Sequence, residues 1–134
     1  MEILSHSKPL RSVRDGLEYF GMDPAQGAPT FVIDADGKLY ALILSAARGH
    51  IDFEKLAQVL GVDSANLASR QKAESATGIA IGAMPLIGLD MPYILDAALL
   101  RQEHVYGGTG CFNTTAKVSP AELIDANQIK LFYE

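Results

Sequence analysis

Apolar residues recur at helical spacing in the first segment of the chain. Val13, Leu17 and Phe20 are separated by four and three positions, which places them on one face of a helix. Glycine readily adopts the positive φ that closes a helix, so Gly21 marks the expected end. The pattern predicts a helix over residues 11–20.

Two runs rich in β-branched, aromatic and aliphatic residues follow, at residues 30–34 and 38–44. Between them lies Asp36-Gly37, a pair that favours the tight turn of a β-hairpin. The second run is almost continuously apolar, which predicts a strand buried on both faces. The sequence therefore predicts a central hairpin, preceded by a short capped turn at residues 23–26.

Further helices are predicted where a residue can cap the first turn. Asp52, Ser69 and Ser119 each precede such a segment, and Ser119 begins a capping box. The expected elements are helices over residues 53–60, 70–77 and 120–126, strands over 92–96, 103–106, 111–118 and 129–133, a helical turn over 97–101 and a glycine loop over 107–110. We therefore expect a single α+β domain over residues 1–134, with a mixed, mostly antiparallel β-sheet or partial barrel and flanking helices.

The composition is that of a soluble globular protein, with 49% hydrophobic and 20% charged residues among 134. The net charge of −5 argues against broad affinity for nucleic acid, and no DNA partner is expected. The densest basic group is Lys8, Arg11 and Arg14. This group is either a solvated helix start or a contact for a polynucleotide backbone.

Targeting signals are not evident. The N-terminal segment lacks the apolar core of a signal peptide, so we expect a cytoplasmic protein. The longest uncharged run, residues 75–89, contains a proline and three glycines. It is also shorter than the ~20 apolar residues of a membrane-spanning helix, so no membrane partner is expected.

Polar side chains suggest little chemistry of their own. The three histidines and Cys111 show no closely spaced pair of the zinc-site type, so neither a metal nor a cofactor is expected. His50 and Asp52 could share a strand face, but Asp52 is assigned to a helix cap. Cys111 could be a nucleophile with His104 as its base. We favour the alternative that this single cysteine is a small apolar residue at a strand start.

Two glycine-rich segments are more informative. Residues 107–110 precede a strand and lack the Lys-Ser/Thr pair of a phosphate-binding P-loop. Residues 77–88 read T-G-I-A-I-G-A-M-P-L-I-G, without a charge and with a stiffening Pro85. Glycine permits close approach of a ligand to the backbone, and the apolar side chains indicate a loop folded over a pocket. A packed connector without a ligand fits the same residues equally well.

Taken in order, these elements resemble the YbaK family, which includes the editing domain inserted in bacterial prolyl-tRNA synthetases. The resemblance covers about residues 5–134 and rests on order and spacing more than on any one motif. It is carried by the segments TFVIDADGKLYALILSA, HIDFEKLAQVLG, LASRQKAESATGIAIGAMPLIG, VYGGTG and VSPAEL. Residues 77–88 are similar to the family's TG-x-x-x-GG-x-x-P-x-G loop, which in that family lines the pocket for the aminoacyl group.

The resemblance implies a freestanding aminoacyl-tRNA deacylase that hydrolyses the ester of a mischarged tRNA, with a small amino acid such as Ala or Cys on a proline-type tRNA. The implied partner is the tRNA acceptor end, with an aminoacyl-tRNA synthetase as a second candidate. Monomer and homodimer both remain open. The implied catalytic positions are the loop backbone of Gly82, Ala83, Met84 and Pro85. The implied substrate-binding positions are Thr30, Lys38, Ile81, Leu86, Gly88, Gly108, Gly110 and Asn113.

The sequence departs from the family pattern at three positions. Pro29 occupies the place of a lysine that many members have, and Lys38 is the nearest cation in sequence. Leu86 stands where the family places its loop proline, with Pro85 one position early, and Ala83 replaces a common glycine. The missing lysine and the shifted proline favour the alternative of a binding module that has lost hydrolysis and recognises an amino acid, an aminoacyl group or a nucleotide. A third hypothesis is a hydrolase that depends on Cys111.

Overall fold

Two β-sheets form the framework of the protein in the computed structural model, which describes residues 1–134. The five-stranded sheet has the order β4-β2-β3-β5-β8, and the three-stranded sheet has the order β1-β7-β6. The strands are β1 Glu2–Ser5, β2 Thr30–Ala35, β3 Lys38–Ile43, β4 Ala65–Leu67, β5 Tyr93–Asp96, β6 Val105–Gly107, β7 Thr114–Val118 and β8 Ile129–Tyr133. The helices are α1 Val13–Phe20, α2 Phe53–Leu60, α3 Arg70–Thr77 and α4 Pro120–Ala126.

The predicted hairpin is confirmed. Strands β2 and β3 pair antiparallel, with Thr30 opposite Ile43 and Ala35 opposite Lys38. Asp36 and Gly37 both have positive φ, of 51° and 93°, as a tight hairpin turn requires. The residues from Tyr40 to Ile43 are buried, so β3 is covered on both faces, as predicted.

The three helices predicted from their capping residues are also confirmed. Each capping signal involves residues within a few positions of one another. The hydroxyls of Ser69 and Ser119 and the carboxylate of Asp52 each accept a hydrogen bond from a first-turn amide. Helix α1 begins two residues later than predicted because Ser12 caps it, and Gly21 closes it with φ of 61°. None of the four helices is long and apolar enough to cross a membrane.

The fold class is confirmed, and the structure adds detail to the sheets. The pairings β3–β5 and β5–β8 are parallel, while the other pairs are antiparallel. The short strands β1 and β4 were not predicted. The predicted strand over residues 111–118 begins only at Thr114, because Gly110 has φ of 100° and the residues after it form a turn.

Two apolar cores lie on opposite faces of the five-stranded sheet. On one face Ala41 and Ile43 pack with residues of β6, β7 and α4, which fills the space between the two sheets. On the other face Tyr40 and Leu42 pack with α2. Helix α1 belongs to neither core, and the loop of residues 77–88 contributes Leu86 to the first of them. Between this helix and this loop, the N-terminal half of β2 borders a cavity.

Candidate functional site

A cavity of about 390 Å³ lies between helix α1, strand β2, the loop of residues 77–88 and the glycine turn of residues 107–111. This volume is within the range of small-molecule sites in proteins. Of the 25 residues that line it, 14 are hydrophobic. Helix α1 contributes Leu17 and Phe20, which lie on the apolar face that its spacing predicts.

The wall formed by β2 carries an unusual polar group. Thr30 is 7% exposed, and its hydroxyl has no hydrogen-bond partner in the structure. Because side chains alternate along a strand, Thr30 lies on the same face as Val32, which packs against Met84 of the loop. A buried hydroxyl without a partner is uncommon in proteins, since its desolvation is then uncompensated. The wall of the cavity therefore contains one hydrogen-bonding group that no other group of the protein uses.

The loop of residues 77–88 is held at its start by polar contacts with α3. The hydroxyl of Thr77 donates to the carbonyl of Ala73 and accepts from the amide of Ile79. The carboxylate of Glu74 accepts from the amide of Ile81, at 2.8 Å. A single 3₁₀ turn over residues 81–83 follows. These contacts fix the direction in which the chain enters the loop.

The end of the loop is held by the buried side chain of Tyr93 and the half-buried side chain of Asn127. The phenol of Tyr93 donates to the carbonyl of Pro85 and accepts from the amide of Leu89. Burial raises the pKa of Tyr93, so the phenol keeps its proton near neutral pH. The side-chain amide of Asn127 donates to the carbonyl of Leu86, at 2.8 Å. The loop is therefore fixed along its length.

The glycine turn is built around close backbone contacts with this loop. The amide of Leu86 donates to the carbonyl of Gly108, and the amide of Gly110 donates to the carbonyl of Ala83. A Cβ atom at Gly108 would overlap the carbonyl oxygen of Met84. Glycine is needed here because two backbones meet.

The segment before α1 closes another side of the cavity. The amide of Leu10 donates to the carbonyl of Phe112, which attaches this segment to the glycine turn. A Cβ atom at Gly82 would overlap the carbonyl oxygen of Arg11, so loop and segment are in direct backbone contact. The guanidinium carbon of Arg11 lies 4.7 Å from the centre of the Phe112 ring. Three separate parts of the chain therefore meet at this edge.

The cavity is almost uncharged. Arg11 is the one charged residue that lines it, and no Asp, Glu, Lys or His does so. The carboxylates with lowered pKa values, Asp34, Asp96 and Glu122, are absent from its lining. No cluster of three or more His, Cys, Asp or Glu side chains that could hold a metal ion occurs in the structure. Chemistry in the cavity therefore falls to backbone groups, hydroxyls, one thiol and one guanidinium.

The structure brings six of the twelve residues singled out from the sequence to the cavity lining: Thr30, Ile81, Gly82, Ala83, Met84 and Gly108. Pro85 and Leu86 are buried behind the lining, and Gly88 and Gly110 lie outside it with φ of 105° and 100°. Lys38 is exposed at the hairpin turn, where its amine lies 5.4 Å from the centre of the Tyr40 ring. Ala83 does not adopt the positive φ that its replacement of a glycine could have forced.

Asn113 does not line the cavity, and its side-chain amide donates to the carbonyls of His6 and Ser7. One expectation about this part of the chain needs correction. The interpretation of Cys111 as a packed apolar residue at a strand start is wrong, since the residue is exposed in the turn before β7 and borders the cavity. His104, its suggested base, does not line the cavity.

Several lining residues were not singled out from the sequence. Leu17 and Phe20 were assigned to a helix face, which is correct, but that face points partly into the cavity instead of only into a core. Thr114 and Thr115 line the cavity from β7. Their contribution depends on sheet pairing between distant segments, so no local pattern could have identified it.

Comparisons with known proteins agree on the fold. A family model described as an aminoacyl-tRNA editing domain matches residues 7–126. The chain is similar to the crystal structure of the hypothetical protein APE2540, with 24% identity and a TM-score of 0.90 over 98% of this chain and 88% of that one. It is also similar to a protein described as a candidate trans-editing enzyme for prolyl-tRNA synthetase, with 20% identity and a TM-score of 0.84 over 97% of this chain and 83% of that one.

Proposed function

Because the chain belongs to the aminoacyl-tRNA editing domain family, we propose that it is a freestanding deacylase that hydrolyses the ester of mischarged tRNA. The observation that carries this proposal is the unpartnered hydroxyl of Thr30 in the wall of a cavity whose one charged lining residue is Arg11 and which is faced by a fixed loop. Such a cavity suits an aminoacyl group that has a small uncharged side chain and is esterified to a nucleoside. The hydroxyl supplies a hydrogen bond that is satisfied only when the substrate is present.

Hydrolysis in this cavity proceeds without a side-chain base from the protein, because no carboxylate, histidine or lysine lines it. Water attacks the ester carbonyl carbon, and the bond between that carbon and the ribose oxygen breaks. The products are a free amino acid and a tRNA with its terminal diol restored. Backbone N–H groups near Gly82 and Met84 stabilise the developing oxyanion, and a ribose hydroxyl of the substrate positions the water.

The proposed substrate is a small amino acid such as Ala or Cys on a proline-type tRNA. Two observations support this choice: the apolar lining of the cavity, and the fold shared with a candidate trans-editing enzyme for prolyl-tRNA synthetase. Selection is by size, since each methylene in an apolar pocket is worth roughly 1–3 kcal/mol of discrimination. Leu17, Phe20 and Met84 are the side chains that limit the space.

The partner in this proposal is the acceptor end of the tRNA, and the reaction takes place in the cytoplasm. A net charge of −5 limits the protein to few phosphate contacts, which suits brief binding at the end of the acceptor stem. An aminoacyl-tRNA synthetase is a second candidate partner, because editing must follow mischarging before the product is used.

A second candidate function is a binding module that retains the cavity but not the hydrolysis. The observation that favours it is Pro29, which borders the cavity beside Thr30 and brings no charge to the reacting ester. Such a module would bind an aminoacyl group or a nucleotide without turnover. Activity measurements separate it from the deacylase.

The test is deacylation of alanyl- and cysteinyl-tRNA of the proline type by the wild type and by Thr30→Val. The proposal expects hydrolysis above the spontaneous rate by the wild type and a loss of about 10-fold or more in the variant. Correctly charged prolyl-tRNA is the control substrate, and it should be hydrolysed more slowly. Wild-type binding of the mischarged tRNA without hydrolysis would support the binding module instead.

A further inference from the structure

Arg11 differs from the other arginines near the N-terminal segment and the loop. Arg14 pairs with Glu18 at 3.2 Å, and Arg70 lies 3.9 Å from Glu74. The guanidinium of Arg11 has no carboxylate within salt-bridge distance, although the residue is exposed. Its one fixed contact is the face of Phe112, at 4.7 Å. A cation held on a ring and left without a counterion is suited to an anion that is not part of the protein.

The surrounding contacts keep this cation in place. The carboxylate of Asp15 is the nearest acid in sequence, and it accepts the backbone amide of Arg11 instead of its side chain. Leu10 and Phe112 are joined by a backbone hydrogen bond of 2.8 Å, so guanidinium and ring are carried by paired segments. Stacking on a ring leaves the edge of the guanidinium and its N–H groups free for an oxyanion.

We infer that Arg11, supported by Phe112, binds the phosphodiester that precedes the terminal nucleoside of the esterified RNA. This inference rests on the proposed function, because it assumes that the esterified nucleoside occupies the cavity. The cavity has no other charge to attract an anion, and Arg11 lies at its exposed edge while Thr30 is buried in its wall. In this arrangement the ester lies in the inner part of the cavity, near Thr30, and the RNA backbone extends out of the cavity past Arg11.

The test compares two substrates that differ in this phosphate. One is alanyl-tRNA of the proline type, and the other is alanyl-adenosine, which carries the same ester without a phosphodiester. Arg11→Gln should lower kcat/KM for the tRNA about 10-fold or more and lower kcat/KM for alanyl-adenosine much less. Arg11→Lys should recover part of the loss. Arg101→Gln, at an exposed arginine that does not line the cavity, is the matched control.

A second measurement keeps the inference separate from catalysis. Binding of the unesterified trinucleotide CpCpA to wild type and Arg11→Gln is followed by NMR titration at several salt concentrations. The wild type should bind the trinucleotide more tightly than the variant. Its affinity should also fall more steeply with salt concentration, by the release of about one additional counterion. If the wild type hydrolyses neither ester, the proposed function fails, and this titration still decides the role of Arg11. The inference would be overturned if Arg11→Gln lowered kcat/KM equally for alanyl-tRNA and alanyl-adenosine. It would also be overturned if wild type and Arg11→Gln bound the trinucleotide with equal affinity.

Discussion

Arg48 contacts both carboxylate oxygens of Asp96, with Nε–Oδ2 and Nη2–Oδ1 distances of 2.6 and 2.7 Å. Asp96 is fully buried at the end of β5, and its carboxylate also accepts the backbone amides of Ser45 and Ala98. The guanidinium of Arg48 lies 4.7 Å from the centre of the Tyr133 ring in β8. One ion pair therefore joins the ends of three neighbouring strands, away from the cavity.

The ion pair between Arg48 and Asp96 predicts that the free energy of unfolding decreases in acid. Burial by itself raises the pKa of Asp96, but the hydrogen bonds from Arg48, Ser45 and Ala98 outweigh it and hold the pKa below its usual range. Because the folded-state pKa is the lower one, the stabilisation is complete above the unfolded pKa of about 3.9 and disappears as the pH falls through the folded value. Urea unfolding from pH 7 to pH 2 should show this decline.

Asp96→Asn is the control for that measurement, since it cannot titrate. Its stability should change less between pH 5 and pH 2 than that of the wild type. The remaining acid sensitivity should come from Asp34 and Glu122, whose pKa values are lowered mainly by hydrogen bonds from Lys72 and from the N-terminal amine. Parallel curves for the two proteins would show that Asp96 does not contribute to the acid sensitivity.

At neutral pH, Arg48→Met should lower the free energy of unfolding by about 3 kcal/mol, because it leaves a buried carboxylate without its partner.

Thr30→Val should separate activity from stability. The hydroxyl has no partner, so replacing it with a methyl group of similar size should leave the free energy of unfolding unchanged or raise it by up to about 1 kcal/mol. Deacylation should fall, because the substrate loses a hydrogen bond. Denaturant unfolding and single-turnover hydrolysis on the same preparation check both parts. A stability loss with unchanged activity would mean that the hydroxyl serves the fold.

Local signals account for most of what could be predicted from the sequence. The turn at Asp36-Gly37 and the capping box at Ser119 each depend on residues within four positions of one another, and both were predicted correctly. Strand β1 pairs with β7, more than a hundred residues away, and the parallel pairing of β3 with β5 also joins distant segments. No nearby pattern encodes such contacts, so these elements were missed or incompletely described.

The cavity was predictable to the extent that its residues share a local pattern. The sequence identifies the loop around Gly82 as a glycine-rich segment that either folds over a pocket or is a packed connector. The reason for its glycine cannot be read from the sequence, because the group that approaches Gly82 is the backbone of Arg11, 71 positions earlier in the chain. Gly108 is similar, since it makes room for the carbonyl of Met84. Glycine indicates a close approach, but the sequence alone does not distinguish a ligand from another part of the chain.

Gly108→Ala should damage the site through this backbone contact. Its Cβ atom would overlap the carbonyl oxygen of Met84, so the turn and the loop would have to separate. We expect a loss of about 2 kcal/mol or more in unfolding free energy and a larger relative loss of deacylation. Gly16→Ala is the matched control for stability alone, because a Cβ at this helical position meets nothing within 4 Å but the residue also lines the cavity. It should stabilise the protein by up to about 1 kcal/mol. Equal stability of the two variants would contradict the close backbone approach at Gly108.

Pro29→Lys tests whether the cavity lacks a charge that it could use. Pro29 borders the cavity next to Thr30, and its carbonyl accepts the amide of Leu44, a contact that any residue can keep. An added ammonium there has no carboxylate in the lining to neutralise it. We expect kcat/KM on mischarged tRNA to rise about 3- to 10-fold at low salt and to depend more steeply on salt. Pro29→Gln, which removes the proline without adding a charge, should match the wild type. Hydrolysis found only in Pro29→Lys would show that the natural cavity does not cleave the ester, which would exclude the deacylase and favour the binding module.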